Sequence, residues 1–293
     1  MKLSVVLATR NEHENIGRCL KAVESIADEI IVVDESSTDD TREIAQSYGA
    51  VVVKTKHEPI FHVTKQKAID LANGNWILQL DADEVVTKAL ADEIVNVISL
   101  SDNEILMRKN SNTPHENLFR RHQRVLEARD GVIGKKTGEV VAFFIPRRNM
   151  FLGKPLVHAG VYPDAVIRLI KKGKAYLPAQ SVHEQMVVDG EVSWLFQDLE
   201  HHDSPTLRRY LARLNRYTDL HAEELYASHV KKNLWGILVY TTVKPMIKFL
   251  MLYIRHRGYL DGVRGFLWAF FSASHYPIAY YKYMTRGYTK RNE

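Results

Sequence analysis

The first hundred residues alternate short apolar runs with amphipathic segments, and this alternation limits the folds open to the chain. The apolar runs are predicted to form strands at residues 3–8, 29–34, 51–53 and 75–80. The segments between them have apolar side chains at helical spacing and are predicted to form helices at residues 14–25, 39–48 and 63–73. Apolar strands that alternate with helices are typical of a parallel sheet covered on both faces. The sequence therefore predicts an α/β fold.

The middle of the chain is less regular. Residues 111–138 are polar and basic, and we expect an insertion or a mobile loop there. Residues 140–146 are apolar and are predicted to add a strand to the same sheet.

A cluster of polar residues directly follows three of the predicted strands. The clusters are Thr9-Arg10-Asn11-Glu12, Asp34-Glu35-Ser36-Ser37 and Asp81-Ala82-Asp83-Glu84. Ligands of parallel sheets bind beyond the carboxyl ends of the strands. These side chains are therefore expected to converge on one cleft.

The third cluster places two carboxylates, Asp81 and Asp83, one residue apart at the end of an apolar strand. Like charges repel each other unless a cation lies among them. Mg²⁺ and Mn²⁺ prefer oxygen ligands, and they often bind one or two carboxylates together with substrate phosphates. The spacing is thus a candidate divalent-cation site. The alternative is that Asp83 and Glu84 only precede a helix at 87–100, because negative charge is favourable near a helix N-terminus.

Three stretches, in order and at matching spacing, resemble family 2 glycosyltransferases with the GT-A fold. They are LSVVLATRNEHENIGRCL, IIVVDESSTDDT and NGNWILQLDADE, followed more weakly by YPDAVIRLI and SVHE. With the apolar tail, the combination resembles the small bacterial branch that contains lipopolysaccharide inner-core β-glucosyltransferases. The resemblance implies a nucleotide-sugar donor, with a UDP-sugar as first choice, and inversion at the anomeric carbon. It also implies Mg²⁺ or Mn²⁺ as cofactor.

The resemblance assigns the nucleoside part of the donor to the first two strand ends. It puts Thr9, Arg10 and Glu12 around the nucleoside. Asp34 matches the carboxylate that accepts hydrogen bonds from the base, and Ser36 lies beside it.

The resemblance assigns the diphosphate and the metal to the fourth strand end. Asp83 is expected to ligate the metal, and Asp81 to contact the ribose or the water shell of the metal. Lys65 falls where the family often has a basic residue near the diphosphate, although a solvated helix lysine is an equally good interpretation.

Inversion also requires a base that removes a proton from the acceptor hydroxyl. Glu184 in SVHE matches the base position of the family, where many relatives have an acidic pair and this chain has His183 and Glu184. Asp164 in YPD is the second candidate for the base, or an acceptor ligand. Arg168 could steady a phosphate or an acidic acceptor, or it could be an ordinary strand arginine.

Other reactive residue types are interpreted more conservatively. His158, His201 and His202 are candidate contacts to the metal or the diphosphate, but thirteen histidines make chance placement common. The single cysteine, Cys19, excludes an internal disulfide framework and fits a reducing compartment. Its position in a predicted helix favours a buried structural thiol.

The last 65 residues differ in composition from the rest. From His229 onward, eleven basic residues accompany two acidic ones, so this region carries +9 and the rest of the chain −4. Residues 234–254 could cross a bilayer by length, but Lys244 and Lys248 lie near their middle. A central lysine costs about 2.5–3.5 kcal/mol on insertion scales. Residues 259–284 are similarly apolar and rich in aromatic side chains.

Basic and aromatic residues beside apolar faces are typical of helices that lie in a membrane interface, and the basic excess suits anionic lipid headgroups. A soluble helical hairpin, or a contact in a homo-oligomer, is the alternative. We therefore predict a GT-A transferase domain at 1–228 and a helical membrane-surface region at 229–293. The N-terminal segment lacks the pattern of a signal peptide. We expect a cytoplasmic protein attached peripherally to the inner face of the cytoplasmic membrane.

The leading functional hypothesis is a metal-dependent transferase that moves a hexose, glucose as first choice, to a membrane-anchored saccharide such as lipopolysaccharide inner core. A second hypothesis changes the acceptor to a polyprenyl phosphate or a capsule intermediate. A third is a nucleotide-binding scaffold without catalysis. A dehydrogenase is disfavoured because no G-x-G-x-x-G follows the first strand. Nucleic-acid binding is disfavoured because the aromatic residues of the tail lie in long apolar runs.

Overall fold

The computed structural model describes residues 2–109, 114–178 and 185–289. The chain forms two compact units. Unit one comprises Met1–Arg148 and Pro163–His201, and unit two comprises Asn149–Tyr162 and His202–Glu293. The predicted boundary between residues 228 and 229 falls inside unit two, so the functional division at that point stays a prediction.

The strands, numbered in chain order, are β1 (Leu3–Thr9), β2 (Glu29–Asp34), β3 (Val51–Lys54), β4 (Trp76–Leu80), β5 (Glu84–Val86), β6 (Val140–Ile145), β7 (Arg147–Phe151), β8 (Lys154–Pro155), β9 (Val166–Lys171), β10 (Ala175–Tyr176), β11 (Val187–Val188), β12 (Glu191–Trp194) and β13 (Leu199–Ser204). The α-helices are α1 (Ile16–Val23), α2 (Thr41–Ser47), α3 (Phe61–Leu71), α4 (Lys88–Ser99), α5 (Asp102–Lys109), α6 (Pro114–Asp130), α7 (Leu207–Ala227), α8 (Leu234–Leu238), α9 (Lys244–Leu250) and α10 (Gly262–Thr289).

Unit one is built on a seven-stranded sheet with the order β12-β6-β9-β4-β1-β2-β3. β9 runs antiparallel to both of its neighbours, and the other pairs are parallel. The carboxyl ends of β1, β2 and β4 therefore lie along one edge of the sheet. The α/β fold of the GT-A class is confirmed.

The two faces of the sheet bury two separate apolar cores. Alternate residues of β1 show the division, because Val5 belongs to one core and Val6 to the other. Apolar residues of α1, α2, α4 and α5 cover the first face, and apolar residues of α3 and α6 cover the second. Side chains that alternate between two covered faces explain why these strands are apolar throughout.

The predicted elements of the first hundred residues all form, with boundaries that differ by one or two residues. The expectation of a loop across 111–138 is wrong for residues 114–130, which form α6. The anchor of α6 is Phe119, which is fully buried and whose ring stacks on Trp194 at a centroid distance of 4.7 Å. Leu126, two turns later, is also buried. Two buried side chains in a long polar helix give little periodicity for a sequence pattern to detect.

Unit two is mainly helical. Tyr210 of α7 packs against Phe151 of β7 and Trp268 of α10, with ring centroids 5.1 and 5.7 Å apart. A second cluster joins Leu225 of α7 to Tyr280 of α10. The apolar faces of α7 and α10 therefore cover each other.

α8 and α9 belong to a longer helical stretch, residues 234–255, which includes π-helical turns at Val239–Val243 and Met251–Arg255. We call this stretch the apolar helix. Among the described residues it is the one helix long and apolar enough to cross a membrane by length and composition, with a mean hydropathy of 1.5. Length and composition alone are weak grounds for a membrane span, because the core helix of a soluble protein can meet the same criteria.

Candidate active site

The end of β1 is joined to the end of β2 around Asp34. Parallel pairing places Thr9 opposite Asp34, and Thr9 Oγ1 donates to Asp34 Oδ2 at 3.2 Å. The backbone N–H of Ser37 donates to Asp34 Oδ1 at 2.9 Å, and the Ser37 hydroxyl also donates to Asp34. Arg42 Nη1 lies 3.3 Å from Asp34 Oδ1. Asp34 is fully buried, so these partners fix its orientation and compensate its charge.

The loops after β1 and β2 are tied together and present polar groups to solvent. The Asn11 backbone N–H donates to Ser37 Oγ at 2.9 Å, and the Glu12 backbone N–H donates to Thr41 Oγ1 at 2.8 Å. Ser36 has a left-handed backbone with φ 56° and donates to the Thr55 carbonyl. Arg10 and Ser36 are exposed, and Glu12 is half-buried.

Asp81, at the end of β4, lies between two cations. Lys65 Nζ is 2.5 Å from Asp81 Oδ1, and Arg168 Nη2 is 2.6 Å from Asp81 Oδ2. Burial by itself would raise the pKa of Asp81, but Arg168 and Lys65 outweigh burial and hold this pKa well below its ordinary value. Lys65 is buried, so the interpretation as a solvated helix lysine is wrong.

Arg168 reaches Asp81 because β9 pairs antiparallel with β4. It is buried and donates from Nη1 to Gln79 Oε1 at 2.5 Å and from Nη2 to Glu84 Oε1 at 2.7 Å. Glu84 is fully buried, and its other oxygen accepts the backbone N–H of Asp81 at 3.0 Å. Arg168 therefore connects the strand end to the carboxylate that braces the following turn.

Arg147, the first residue of β7, extends this connection to Asp164. Arg147 Nη1 is 3.4 Å from Glu84 Oε1, and Arg147 Nη2 is 2.9 Å from Asp164 Oδ2. Asp164 has a left-handed backbone, with φ 36°. The result is an alternating sequence of charges, which we call the charge network and which consists of Lys65, Asp81, Arg168, Glu84, Arg147 and Asp164.

A cavity of about 230 Å³ lies beside the charge network. Its lining includes four of the six network residues, Lys65, Asp81, Arg147 and Arg168, together with Gln79 and Gln185. Aliphatic lining comes from Val166, Ile167, Leu177 and Met186. A pocket with convergent charged groups and an apolar wall is the usual form of a small-molecule site.

Asp83 lies on the turn between β4 and β5, next to β13. Antiparallel pairing of β5 with β13 brings His201 opposite Glu84, and His201 Nε2 is 3.6 Å from Asp83 Oδ2. Burial and the positive charge of Arg147 lower the pKa of His201 to about 4. The ring is therefore neutral near pH 7, as a metal-binding imidazole must be.

The donor set formed by Asp83 and His201 fits a divalent cation that completes its shell with phosphate and water oxygens. Within residues 2–109, 114–178 and 185–289, the chain has no group of three or more His, Cys, Asp or Glu side chains that could hold a metal alone. Both carboxylate oxygens of Asp81 already contact cations of the charge network. Asp83 and His201, with His201 Nε2 3.6 Å from Asp83 Oδ2, are candidate ligands.

Three further residues singled out from the sequence are Glu184, His158 and Cys19. Glu184 lies outside the described residues, although Gln185 and Met186, which follow it, line the cavity. In unit two, His158 Nδ1 is 2.9 Å from Asp261 Oδ1. Cys19 is a fully buried residue of the first core, in agreement with a structural thiol, and burial raises the pKa of its thiol.

Sequence reasoning missed several residues of the site. Arg147 directly follows a predicted strand, so the strand-end rule could have identified it. Glu35 is fully buried and accepts hydrogen bonds from Thr64 and from His57, whose Nδ1 is 2.7 Å away. Glu35 belongs to the predicted polar cluster after β2, but nothing in the sequence separates its buried side chain from the exposed neighbour Ser36.

Residues 4–159, just over half of the chain, match the sequence model of the family described as glycosyl transferase family 2. The lipopolysaccharide core biosynthesis glycosyltransferase LpsC of Rhizobium meliloti is 26% identical over 94% of this chain and 91% of its own length. An uncharacterized glycosyltransferase of Rickettsia felis is 43% identical, but the alignment covers only 32% of each chain.

A solved structure of glucosyl-3-phosphoglycerate synthase from Mycobacterium tuberculosis, in complex with Mn²⁺ and UDP-glucose, is 27% identical over 29% of this chain and 34% of that chain. Its TM-score is 0.27. The match of more than half of the chain to one family model, on a sheet of the corresponding type, identifies the family. The chain belongs to glycosyl transferase family 2.

Proposed function

We propose that the protein is an inverting, metal-dependent glycosyltransferase that moves a hexose from a nucleotide sugar to a membrane-anchored saccharide. The observation that supports this most strongly is the cavity beside the charge network, where Asp81 at the end of β4 lies in the lining with Lys65 and Arg168. A nucleoside diphosphate is a leaving group with several negative charges, and the cations Lys65, Arg147 and Arg168 in the lining of this cavity would compensate them.

The nucleoside is held at the ends of β1 and β2. Asp34 is oriented by Thr9, Ser37 and Arg42. Because Asp34 is fully buried beneath these partners, its role is to hold the ends of β1 and β2 together, and the exposed residues Arg10 and Ser36 lie on the loops around the nucleoside. UDP-sugars are the first donors to test.

Asp83 and His201 would hold Mg²⁺ or Mn²⁺, and Asp81 would lie near the ribose or the water shell of the metal. The metal supplies a Lewis acid that neutralises the diphosphate as it leaves. Lys65 lies on the same side of Asp81 as the cavity, so its ammonium group stabilises the negative charge that develops on the diphosphate.

The reaction inverts the anomeric carbon. The acceptor oxygen forms a bond to this carbon while the bond to the diphosphate oxygen breaks, and a carboxylate takes the proton of the acceptor hydroxyl. Glu184 is the first candidate for this base by its match to the family position. Asp164 is the second, because Arg147 Nη2 holds its carboxylate in the charge network, 2.9 Å from Asp164 Oδ2.

The acceptor is a lipid-anchored saccharide, with lipopolysaccharide inner core as first choice. The full-length similarity to a lipopolysaccharide core glycosyltransferase supports this choice. An inner-core heptose with UDP-glucose as donor is the specific pair to assay. A polyprenyl phosphate or capsule intermediate is the alternative acceptor, since it too combines a lipid with negative charge.

The protein works at the inner face of the cytoplasmic membrane. Nucleotide sugars are cytoplasmic substrates, and a lipid-anchored acceptor is restricted to the membrane surface. The net charge of +9 from His229 onward would attract such a surface.

A thermal-shift screen of nucleotide sugars with Mn²⁺, followed by transfer assays on purified cores of defined length, tests the proposal. We expect UDP with Mn²⁺ to raise the melting temperature of the wild type. Asp83→Ala should remove the metal-dependent part of this shift and lower transfer at least about a hundredfold. The exposed residue Asp92 on α4 supplies the control Asp92→Ala. Full activity of Asp83→Ala with metal present would remove Asp83 from the mechanism.

A further inference from the structure

The turn between the apolar helix and α10 exposes large apolar side chains at its tip. We call residues 254–263 the apolar turn. Ile254 is 58% exposed, Leu260 54% and Val263 73%. Isolated exposed apolar residues are common on soluble proteins, but a contiguous group of them marks an interaction surface.

The apolar turn is held in one conformation. Asp261 accepts hydrogen bonds from the backbone N–H and from Nδ1 of His158, both at 2.9 Å. The Ala159 backbone N–H donates to the carbonyl of His256 at 2.9 Å. A Cβ at Gly265 would lie 1.8 Å from the Gly258 carbonyl oxygen, so glycine is required for this close approach. The exposed apolar side chains therefore project from a preformed turn, and their exposure does not come from fraying.

Two exposed apolar stripes continue from the turn along the helices. On the apolar helix, Met246, Leu250 and Ile254 recur at intervals of four residues, with Ile247 beside them. On α10, the exposed residues Val263, Phe266 and Phe270 recur at helical spacing. Phe266 connects α10 to the apolar helix, because its ring centroid lies 5.8 Å from those of Phe249 and Tyr253.

The opposite side of the apolar helix explains its central lysine. Lys244 Nζ lies 3.7 Å from the centroid of Tyr240 and 5.8 Å from that of Tyr276 on α10. Cation–π contact of this kind stabilises a partly buried ammonium group. The helix thus has a side that packs on α10 and an exposed apolar side, which is the character of a helix lying in an interface.

The charged residues of the apolar turn indicate the charge of the surface that it binds. Arg255 and Arg257 are exposed within the turn, and Asp261, the acidic residue among 254–263, is occupied by His158. The apolar turn therefore presents a net positive charge beside its apolar side chains.

We propose that the apolar turn inserts into the headgroup layer of an anionic lipid bilayer, with the two exposed stripes lying along the membrane surface. Arg255 and Arg257 contact the lipid phosphates, while Ile254, Leu260 and Val263 enter the upper acyl region. This binding mode rests on the proposed function in one respect, since the proposed acceptor is anchored in the membrane. In this mode the apolar helix lies on the bilayer surface and does not cross it.

Vesicle flotation of the full chain tests this binding mode. The vesicles contain either phosphatidylcholine alone or phosphatidylcholine with about one third phosphatidylglycerol. We expect the wild type to bind the anionic vesicles at least about tenfold more tightly, and increasingly weakly as salt rises. Leu260→Asp with Val263→Asp should weaken binding at least about tenfold, and Arg255→Gln with Arg257→Gln about fivefold for each arginine.

The matched control is Val132→Asp, because Val132 is 88% exposed in unit one and its replacement should leave flotation unchanged. Trp235 is 69% exposed on the apolar helix, so its fluorescence reports how deeply this helix enters the bilayer. Brominated lipids should quench this fluorescence to the degree typical of a residue in the membrane interface. Unchanged flotation of the Leu260/Val263 variant would overturn the proposal. A wild-type dimer in light scattering that this variant dissociates would also overturn it, since the surface would then be a contact between copies.

Nucleotide binding separates this proposal from the proposed function. The thermal shift with UDP and Mn²⁺ should be the same in the wild type and in every variant of the apolar turn. Loss of flotation with an intact shift would support both proposals. Flotation as expected with no shift in the wild type would contradict the proposed function alone.

Discussion

At the scale of single residues, the site depends on compensated burial of charge. Glu84 is fully buried, and Asp81 is partly buried beside it. Arg168 contacts both carboxylates through one Nη atom. A buried ion pair contributes little net stability compared with an apolar replacement, but removal of one partner leaves an uncompensated charge. The fold therefore requires Arg168 whether or not a substrate is bound.

Arg168→Met should lower the free energy of unfolding by about 3–5 kcal/mol, because Glu84 and Asp81 lose their common cation. Chemical denaturation measures this change. Lys88→Met on α4 is the control, since Lys88 is exposed and its replacement should change stability by less than about 0.5 kcal/mol. If Arg168→Met were as stable as the control, the charge network would not brace the strand end.

The identity of the catalytic base is also a question at this scale. Glu184→Gln should bind UDP with Mn²⁺ like the wild type and lower kcat by roughly 10²–10⁴-fold, because the acceptor hydroxyl keeps its proton. Single-turnover transfer and nucleotide titration measure the two effects separately. The exposed residue Glu24 supplies the control Glu24→Gln. Unchanged turnover in Glu184→Gln, with loss in Asp164→Asn, would assign the base to Asp164.

At the scale of elements, the sequence predicts the first four strands and β6, but not the order in which β6, β9 and β12 join the sheet. The first four strands are short apolar runs separated by helical patterns, so they can be predicted from the sequence without knowledge of the tertiary structure. β9 is different, since nothing in VIRLI indicates that it inserts antiparallel between β4 and β6. That insertion delivers Arg168 to Asp81. The cationic half of the candidate site thus depends on strand order, which periodicity does not reveal.

The same reasoning applies to α6, whose fold depends on few buried contacts. Phe119→Ala should lower the free energy of unfolding by about 3–5 kcal/mol, because the ring stacks on Trp194 and Phe196 and its removal leaves a cavity. Val125→Ala is the matched control on the same helix, since Val125 is 63% exposed. Equal denaturation midpoints for the two variants would mean that α6 does not contribute to the second core.

At the scale of the whole molecule, deletion of the C-terminal helices is a poor test of membrane attachment. Tyr210 of α7 packs against Trp268 and Phe271 of α10, and Leu225 belongs to the same cluster as Tyr280. A chain that ends at Ala227 would expose these apolar side chains to water. Release from membranes would then be confused with unfolding or aggregation, so substitutions at exposed positions are the better test.

The protein is proposed both to transfer a sugar and to bind an anionic bilayer through the apolar turn. Variants of the apolar turn should therefore lose activity only when the acceptor is anchored in lipid. Leu260→Asp with Val263→Asp should lower kcat/KM at least about tenfold on a lipid-anchored acceptor in anionic vesicles, because less enzyme reaches the surface. The same variant should turn over the delipidated saccharide at the wild-type rate, since neither residue lines the cavity beside the charge network. Parallel assays with both acceptors, and with Val132→Asp as control, measure the difference. An equal loss on both acceptors would mean that the apolar turn supports the fold, and that the membrane concentrates the enzyme by another surface.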